Sequence, residues 1–426
     1  MTAVTTAEVH RTIHTVFRME SARLIAGLAR MLRGNVGLAE ELAQDALVSA
    51  LEHWPDDGVP DNPGAWLMAT AKRRAIDELR RNKRLERKHE EIGQEQLVRE
   101  QAVPDLEAAL DDDIGDDMLR LVFTSCHPVL STEARVALTL RLLGGLTTDE
   151  IARAFLVPEP TIAQRIVRAK RTLADENVPY EVPRGPELQE RLSSVLEVIY
   201  LIFNEGYSAT AGDDWMRPGL CEDALRLGRI LAELAHAEAE VHGLVALMEI
   251  QASRARARVG PSGEPILLPD QNRALWDQLL IRRGLSALSR AEQLTAERGP
   301  YTLQAAIAAC HGRARTAAET DWQQIAALYL ELVQRIPSPV IELNRAVAVS
   351  MAFGPATALP LVDALVEEGT LDNYHLLPAV RGDLLAKLER WSEARAEFER
   401  AAGLTRNSRE QQVLTDRVAE CAAKLG

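Results

Sequence analysis

Thr161, Gln164, Arg165 and Arg168 fall at helical spacing, with Lys170 and Arg171 close behind. Residues three and four apart share one face of an α-helix. Glutamine and arginine carry the paired groups that read adenine and guanine edges in a major groove, at about 1–3 kcal/mol of discrimination per good pair. Lysine and arginine near the helix end suit phosphate oxygens. The chemistry is recognition of a DNA duplex. The plainer alternative is a solvated helix whose late positive charges complement the macrodipole.

Local elements must hold that face outward. Ile162, Ile166, Ala169 and Leu173 form an apolar stripe on the other side. Upstream, Thr147 and Glu150 have capping-box spacing, with Leu146 and Ile151 at the staple positions. This first helix runs through Ala152 and Phe155 and stops at Val157-Pro158, because the residue before proline leaves the α region. Pro160 suits the first turn of the second helix. Two helices and a tight turn make a helix-turn-helix.

A second basic surface lies nearer the N-terminus. Residues 36–54 predict a helix with Ala43, Leu47, Ala50 and Trp54 as its stripe and Glu41 and Asp45 on another face. Pro55 to Pro63 predicts a loop. From Ala65 a helix resumes on the stripe Met68, Ala71, Ala75 and Leu79, with Arg73, Asp77, Arg80 and Arg84 opposite and Arg74 and Arg81 beside them. Between Lys72 and Lys88 nine basic residues meet three acidic ones. Between Glu90 and Asp117 eleven acidic residues meet only Arg99, which predicts a solvated linker or a polar surface helix. Asn177 to Pro179 and Pro183 to Pro186 mark a second linker.

The 426 residues predict two to four domains, and a composition rich in Ala, Leu, Glu and Arg and poor in aromatics predicts an all-α fold. A net charge of −14 excludes a general nucleic-acid coat and confines DNA contact to local basic patches. Cys126, Cys221, Cys310 and Cys421 form no CxxC, so reduced thiols are expected rather than a zinc ribbon or a disulfide framework. Cys126-His127 suggests a buried thiol beside a helix end. His10 and His14, an i,i+4 pair, lack a third ligand nearby. No Gly-rich phosphate loop or metal spacing is found, and neither a catalytic constellation nor a cofactor is expected. No leader pattern and no run of eighteen apolar residues is present, so the expected address is the cytoplasm, away from membranes.

From Glu187 the pattern is helical, broken at Gly212-Asp-Asp, Gly260-Pro-Ser-Gly, Gly299-Pro300, Pro337-Ser-Pro339 and Gly354-Pro355. Arg345, Ala348, Ala352 and Ala358 precede Arg381, Leu384, Leu388 and Ala394 by thirty-six residues. The later copy ends in Ala394-x3-Phe398, the signature of a tetratricopeptide unit. Such units stack into a solenoid, each burying its neighbour's apolar face.

Taken in order, Ala39–Leu51, Ala65–Arg81 and Leu146–Leu173 resemble the segments of a bacterial sigma factor of the extracytoplasmic-function group. Phe203–Tyr207, Gly299–Ala309, Thr320–Trp322 and Pro337–Ala346 resemble the long C-terminal extension of one subgroup, with tetratricopeptide-like repeats. The resemblance implies an N-terminal region 2 helical bundle over residues 1–88, an acidic linker over 89–116, a region 4 helix-turn-helix over 117–180 and a helical regulatory extension over 187–426. It implies RNA polymerase core enzyme and promoter DNA as partners, and a regulatory protein or peptide at the extension. Glu41, Gln44 and Asp45 would face the polymerase clamp. Asn62, Trp66, Lys72, Arg73, Arg74, Arg80 and Arg81 would serve the −10 element, with the 55–63 loop capturing an unstacked base. Thr161, Gln164, Arg165, Arg168, Lys170 and Arg171 would serve the −35 element. Pro160 departs from the common pattern, and the acidic linker is longer than a minimal member needs. Its charge, including Asp111, Asp112, Asp113, Asp116 and Asp117, would compete for the basic faces. The rival readings are a helix-turn-helix regulator with a helical sensor that does not bind core polymerase, and an enzyme in the C-terminal half.

Overall fold

The computed structural model describes residues 6–90, 114–155, 157–208, 216–260, 266–405 and 408–425. Among them the regular elements are helices, as the composition predicts, with no strand. The chain divides into two compact units, Met1–Val198 and Ile199–Gly426.

In the first unit α1 (Thr6–Met31), α2 (Val36–Asp57) and α3 (Pro63–Glu90) pack on one another. Leu24, Ile25 and Leu28 of α1 are buried with Ala39, Ala43, Ala46 and Ala50 of α2 and Leu67, Ala71 and Ala75 of α3. The predicted α3 stripe is shifted: Leu67 takes the inward place and Leu79 is 38% exposed. Each four-residue step turns about 40° past a full circle, so a stripe of such steps drifts off the seam. The predicted loop also starts late. α2 continues through Pro55 to Asp57, and Gly58, at φ +87°, ends it by donating to the Trp54 carbonyl. Asn62 then caps α3, its Oδ1 accepting from Ala65 N at 3.1 Å, and Pro63 fills the first position.

α4 (Ile114–Ser125), α5 (Thr132–Leu142), α6 (Thr148–Phe155) and α7 (Glu159–Asp175) follow. α4 packs on α1, while α5 and α6 both pack on α7. The acidic segment is helical sooner than the sequence predicts. Asp116 and Asp117 lie in the first turn of α4, where the macrodipole favours them. Asp117 is buried and paired with Arg30 and Arg120, at 3.4 and 2.6 Å, so it is no free linker charge. Asp111, Asp112, Asp113 and the rest of the linker before Ile114 lie outside the described residues, beyond Glu90.

Past α7 the chain returns to α1. The Tyr180 hydroxyl shares its proton between the Ala26 and Asp117 carbonyls, at 3.0 and 3.1 Å. On α8 (Pro186–Tyr207), Arg191 donates to the Phe123 carbonyl at 3.0 Å and Ser194 to the Cys126 carbonyl at 2.7 Å. Side chains thus satisfy carbonyls that the end of α4 leaves open. The Cys126 thiol is buried just past that end, against the Thr139 hydroxyl at 3.3 Å, and burial pushes its pKa up.

The second unit continues with α9 (Pro218–Leu234), α10 (Ala239–Ala252), α11 (Gln278–Leu294), α12 (Pro300–Arg313), α13 (Trp322–Arg335), α14 (Pro339–Phe353), α15 (Pro355–Glu368), α16 (Leu376–Lys387), α17 (Trp391–Leu404) and α18 (Ser408–Leu425). From α12 onward each helix packs on the next. The predicted breaks at Pro300, Pro339 and Pro355 are the first residues of α12, α14 and α15. Within the α16–α17 pair, a Cβ on Gly382 would stand 3.0 Å from the Phe398 ring. Thirty-six residues earlier the equivalent positions hold Ala346 and Val362, both fully buried. There the small residue is larger and the large one smaller than in the α16–α17 pair.

Phe398 is 2% exposed. Replacing it with alanine should cost about 3–5 kcal/mol, read from the midpoint of urea unfolding. A loss below about 1 kcal/mol would contradict the close α16–α17 packing.

Candidate nucleic-acid interface

The capping box of α6 forms as its spacing requires. Glu150 N donates to Thr147 Oγ1 at 3.2 Å, and Thr147 N donates to Glu150 Oε2 at 2.7 Å. Leu146 and Ile151 are buried beside it. α6 ends at Phe155 and α7 begins at Glu159 with Pro160 in its first turn. Ile162, Ile166, Ala169 and Leu173 are all buried. That burial fixes the rotation of α7 and leaves Gln164 and Arg168 exposed, with Thr161 and Arg165 half-exposed. Among the described residues neither Arg165 nor Arg168 has a carboxylate within 4 Å. Arg171 leans on Asp175 at 3.3 Å, an exposed pair of little strength.

Lys170 is placed differently from the sequence expectation. Its ammonium pairs with Glu40 of α2, which is 5% exposed. Arg141 of α5 reaches the same carboxylate through Nε at 2.6 Å, and also donates to the Leu146 carbonyl at 3.1 Å. Gln44 Nε2 donates to Glu40 Oε1 at 2.8 Å. One buried acid thus holds α2, α5 and α7 together, and two cations offset its desolvation. The sequence does not single out Glu40. It reads as one more surface acid beside Glu41, and its burial depends on residues more than a hundred positions away.

The other predicted residues divide by element. On α3, Arg73 is exposed and Lys72 half-exposed, without ion pairs among the described residues. Arg80 and Arg81 pair loosely with Asp77 and Glu78, at 3.8 and 3.0 Å, and both pairs are open to solvent. Arg74 binds Asp45 at 2.9 Å and the Ser49 hydroxyl at 2.7 Å, so a predicted DNA contact and a predicted polymerase contact are brought together. Glu41 stays exposed on α2.

Between the end of α2 and the start of α3 lies a cavity of about 430 Å³, lined by His53, Trp54, Asp57, Val59, Asp61 and Trp66 among others. Trp54 is buried and Trp66 half-buried; their rings meet edge to face, 5.3 Å between centroids. Asn62 does not line the cavity, and its Oδ1 is occupied by the α3 cap. Asp57 and Asp61 disfavour phosphate at the rim, while their oxygens can accept from the amino group of a base. Trp54 supplies the inner wall; the sequence treats it only as part of a core stripe.

Among the described residues no group of three or more His, Cys, Asp and Glu is arranged to hold a metal, and no helix is long and apolar enough to cross a membrane. His10 is exposed; the side chain of His14 lies outside what the structure describes.

Residues 18–85 match the family Sigma-70 region 2, residues 120–173 match Sigma-70, region 4, and residues 191–292 match a family of unknown function, DUF6596. The chain is 42% identical over 391 residues to an uncharacterized protein of Rhizobium meliloti (strain 1021), covering 91% of this chain and 90% of that one. It is 30% identical over 156 residues to the ECF RNA polymerase sigma factor SigK of Mycobacterium bovis (strain BCG / Pasteur 1173P2), covering 35% of this chain and 77% of the relative. The same figures hold for SigK of Mycobacterium tuberculosis (strain ATCC 25618 / H37Rv).

A double-mutant cycle of Glu40→Gln with Lys170→Gln should give a coupling energy of about 0.5–3 kcal/mol in urea unfolding. Additive effects would mean that the two groups do not pair in solution.

Proposed function

We propose that this chain, which belongs to the extracytoplasmic-function RNA polymerase sigma factors, carries polymerase core to promoters by the exposed face of α2, the basic face of α3 and the outward face of α7. The observation that carries this is the orientation of α7. Its apolar stripe is buried, while Gln164, Arg165 and Arg168 face outward with no carboxylate within 4 Å of either arginine among the described residues. Gln164, Arg165 and Arg168 would read base edges at the −35 element, and Thr161 and Arg171 would meet the backbone.

At the −10 element, Lys72, Arg73, Arg80 and Arg81 would meet phosphates. The cavity between Trp54 and Trp66 would receive an unstacked base, with Trp66 as its outer wall. Asn62 would act by fixing the start of α3 rather than by touching the base. Glu41, Gln44 and Asp45 would face the polymerase clamp. Lys170 would join the phosphate contacts only after parting from Glu40, so the arrangement of the first unit is a closed one for DNA.

The helices from α9 onward would stack as a tetratricopeptide-like solenoid and tune promoter use through a protein or peptide partner. The succession of helices each packed on the next supports this, as does the Gly382–Phe398 contact with its Ala346 and Val362 counterparts. A fragment that tests the extension must keep Arg191 and Ser194, which bind carbonyls at the end of α4, and so must not stop near residue 182.

Run-off transcription with purified core polymerase and the full chain should yield promoter-specific transcripts. Failure to associate with core, with DNA binding intact, would favour a regulator outside the polymerase. Arg165→Ala should relax −35 selectivity by about 1–3 kcal/mol at one position in a randomised-promoter assay. Unchanged selectivity would remove Arg165 from the reading face. Glu40→Gln should strengthen binding of the free protein to promoter duplex and steepen its salt slope by about one unit, as Lys170 gains a phosphate. An unchanged slope would mean that Lys170 is not held back.

A further inference from the structure

In the second unit, several arginines that reach into the fold are matched by acids. Arg229 and Arg283 share the buried Glu249, Arg217 pairs with Glu205, and Arg381 lies between Asp363 and Glu397. Arg254 and Arg273 depart from that pattern among the described residues. With Arg258 they gather around Tyr207 and Trp276, within the segment matched to the family of unknown function. The Arg258 guanidinium lies 3.5 Å from the Tyr207 ring centroid and donates to the Tyr207 carbonyl. Arg254 stands between the two rings, 5.7 Å from Tyr207 and 5.9 Å from Trp276. Arg273 lies 4.7 Å from Trp276 and donates to the carbonyls of His311 and Ala314 and to the Thr320 hydroxyl.

Among the described residues, neither Arg254 nor Arg273 has a carboxylate within ion-pair distance. Ring faces and carbonyls offset part of the charge, but other hydrogen-bonding groups remain. The Nε atoms of Arg254 and Arg273 are buried with no hydrogen-bond partner. So are Trp276 Nε1 and His311 Nδ1, on side chains 3% and 8% exposed. Indole and guanidinium nitrogens can only donate, and neutral imidazole can present N–H at Nδ1. The cluster is therefore rich in donors and poor in acceptors. The local field is positive: burial first, then Arg254 and Arg273, depress the His311 pKa to about 4.

We propose that Arg254, Arg258 and Arg273, with the Trp276 and His311 nitrogens, form a binding site for a small oxyanion, a carboxylate or a phosphate. Such a group supplies acceptor oxygens to donors that lack them and negative charge within ion-pair distance of Arg254 and Arg273, where Glu319 acts on Arg273 only from farther off. Guanidinium forks match the geometry of either oxyanion, and the flanking rings confine it. The extension would then sense a small anionic compound directly. The site lies wholly in the second unit, so its test does not depend on promoter recognition.

The test uses the full chain in chloride buffer, titrated with inorganic phosphate and, separately, acetate, at ionic strength held constant with sodium chloride. The expected result is a saturable rise in Tm with at least one of the two anions, matched by a calorimetric binding isotherm. Arg254→Gln should weaken that binding about tenfold or more, and Trp276→Phe, which keeps a ring and removes the N–H, should weaken it in the same direction. Arg290→Gln, at an exposed arginine on α11, should leave it unchanged. If Arg254→Gln does not fold, Arg254→Lys, which keeps the charge and loses the fork, takes its place with the same expectation. No saturable response to either anion overturns the proposal. A response that survives both cluster substitutions overturns it as well.

Discussion

A carboxylate taken out of water must be matched by positive charge, and in the first unit that carboxylate is Glu40. Arg141 and Lys170 supply the match from two helices of the helix-turn-helix domain, and Gln44 fills a further acceptor site. The surfaces around it inherit this arrangement. Glu41 lies exposed beside the buried acid, while Lys170 is drawn off the outward face of α7. Tyr180 and Asp117 make a second clasp between α1 and α4, with Arg30 and Arg120 balancing the buried aspartate. Both clasps use polar groups at helix contacts, which can exchange partners in a way that a purely apolar seam cannot.

How much was legible in the sequence follows the range of the interactions. The α6–α7 pair was fully legible because its determinants are local: a reciprocal cap over four residues, a proline stop and a stripe at helical spacing. The all-α class was equally plain from composition. Pro55 shows the limit of local signs. Composition marks a breaker, but α2 runs two residues beyond it because Gly58, not Pro55, supplies the turn. The surroundings of Glu40, Asp117 and Lys170 are not legible locally, for a different reason. Each reads as a surface charge until a partner far along the chain removes it from water. Asn62 reads as a hydrogen-bonding group for a ligand, and its side-chain oxygen serves the helix start.

In the second unit Phe398 packs against Gly382, whereas the positions thirty-six residues earlier hold the buried Val362 and Ala346. Packing conserves the sum of two side chains rather than the identity of either. The arginine and aromatic cluster is harder still to see. Tyr207, Arg254, Arg273, Trp276 and His311 are spread over about a hundred residues with no period, and they converge only through folding.

If Asp45 faces the polymerase and Arg74 the promoter, as the family resemblance implies, their ion pair would couple the two contacts. A basic group on the polymerase that captured Asp45 would then release Arg74, and a phosphate that captured Arg74 would expose Asp45 to the polymerase. Each ligand would lower the cost of admitting the other. Because such linkage is reciprocal in equilibrium binding, the gain in promoter affinity on joining the polymerase must equal the gain in polymerase affinity on meeting the promoter. A single exposed ion pair would thereby make two separate recognitions cooperative without any movement of the backbone.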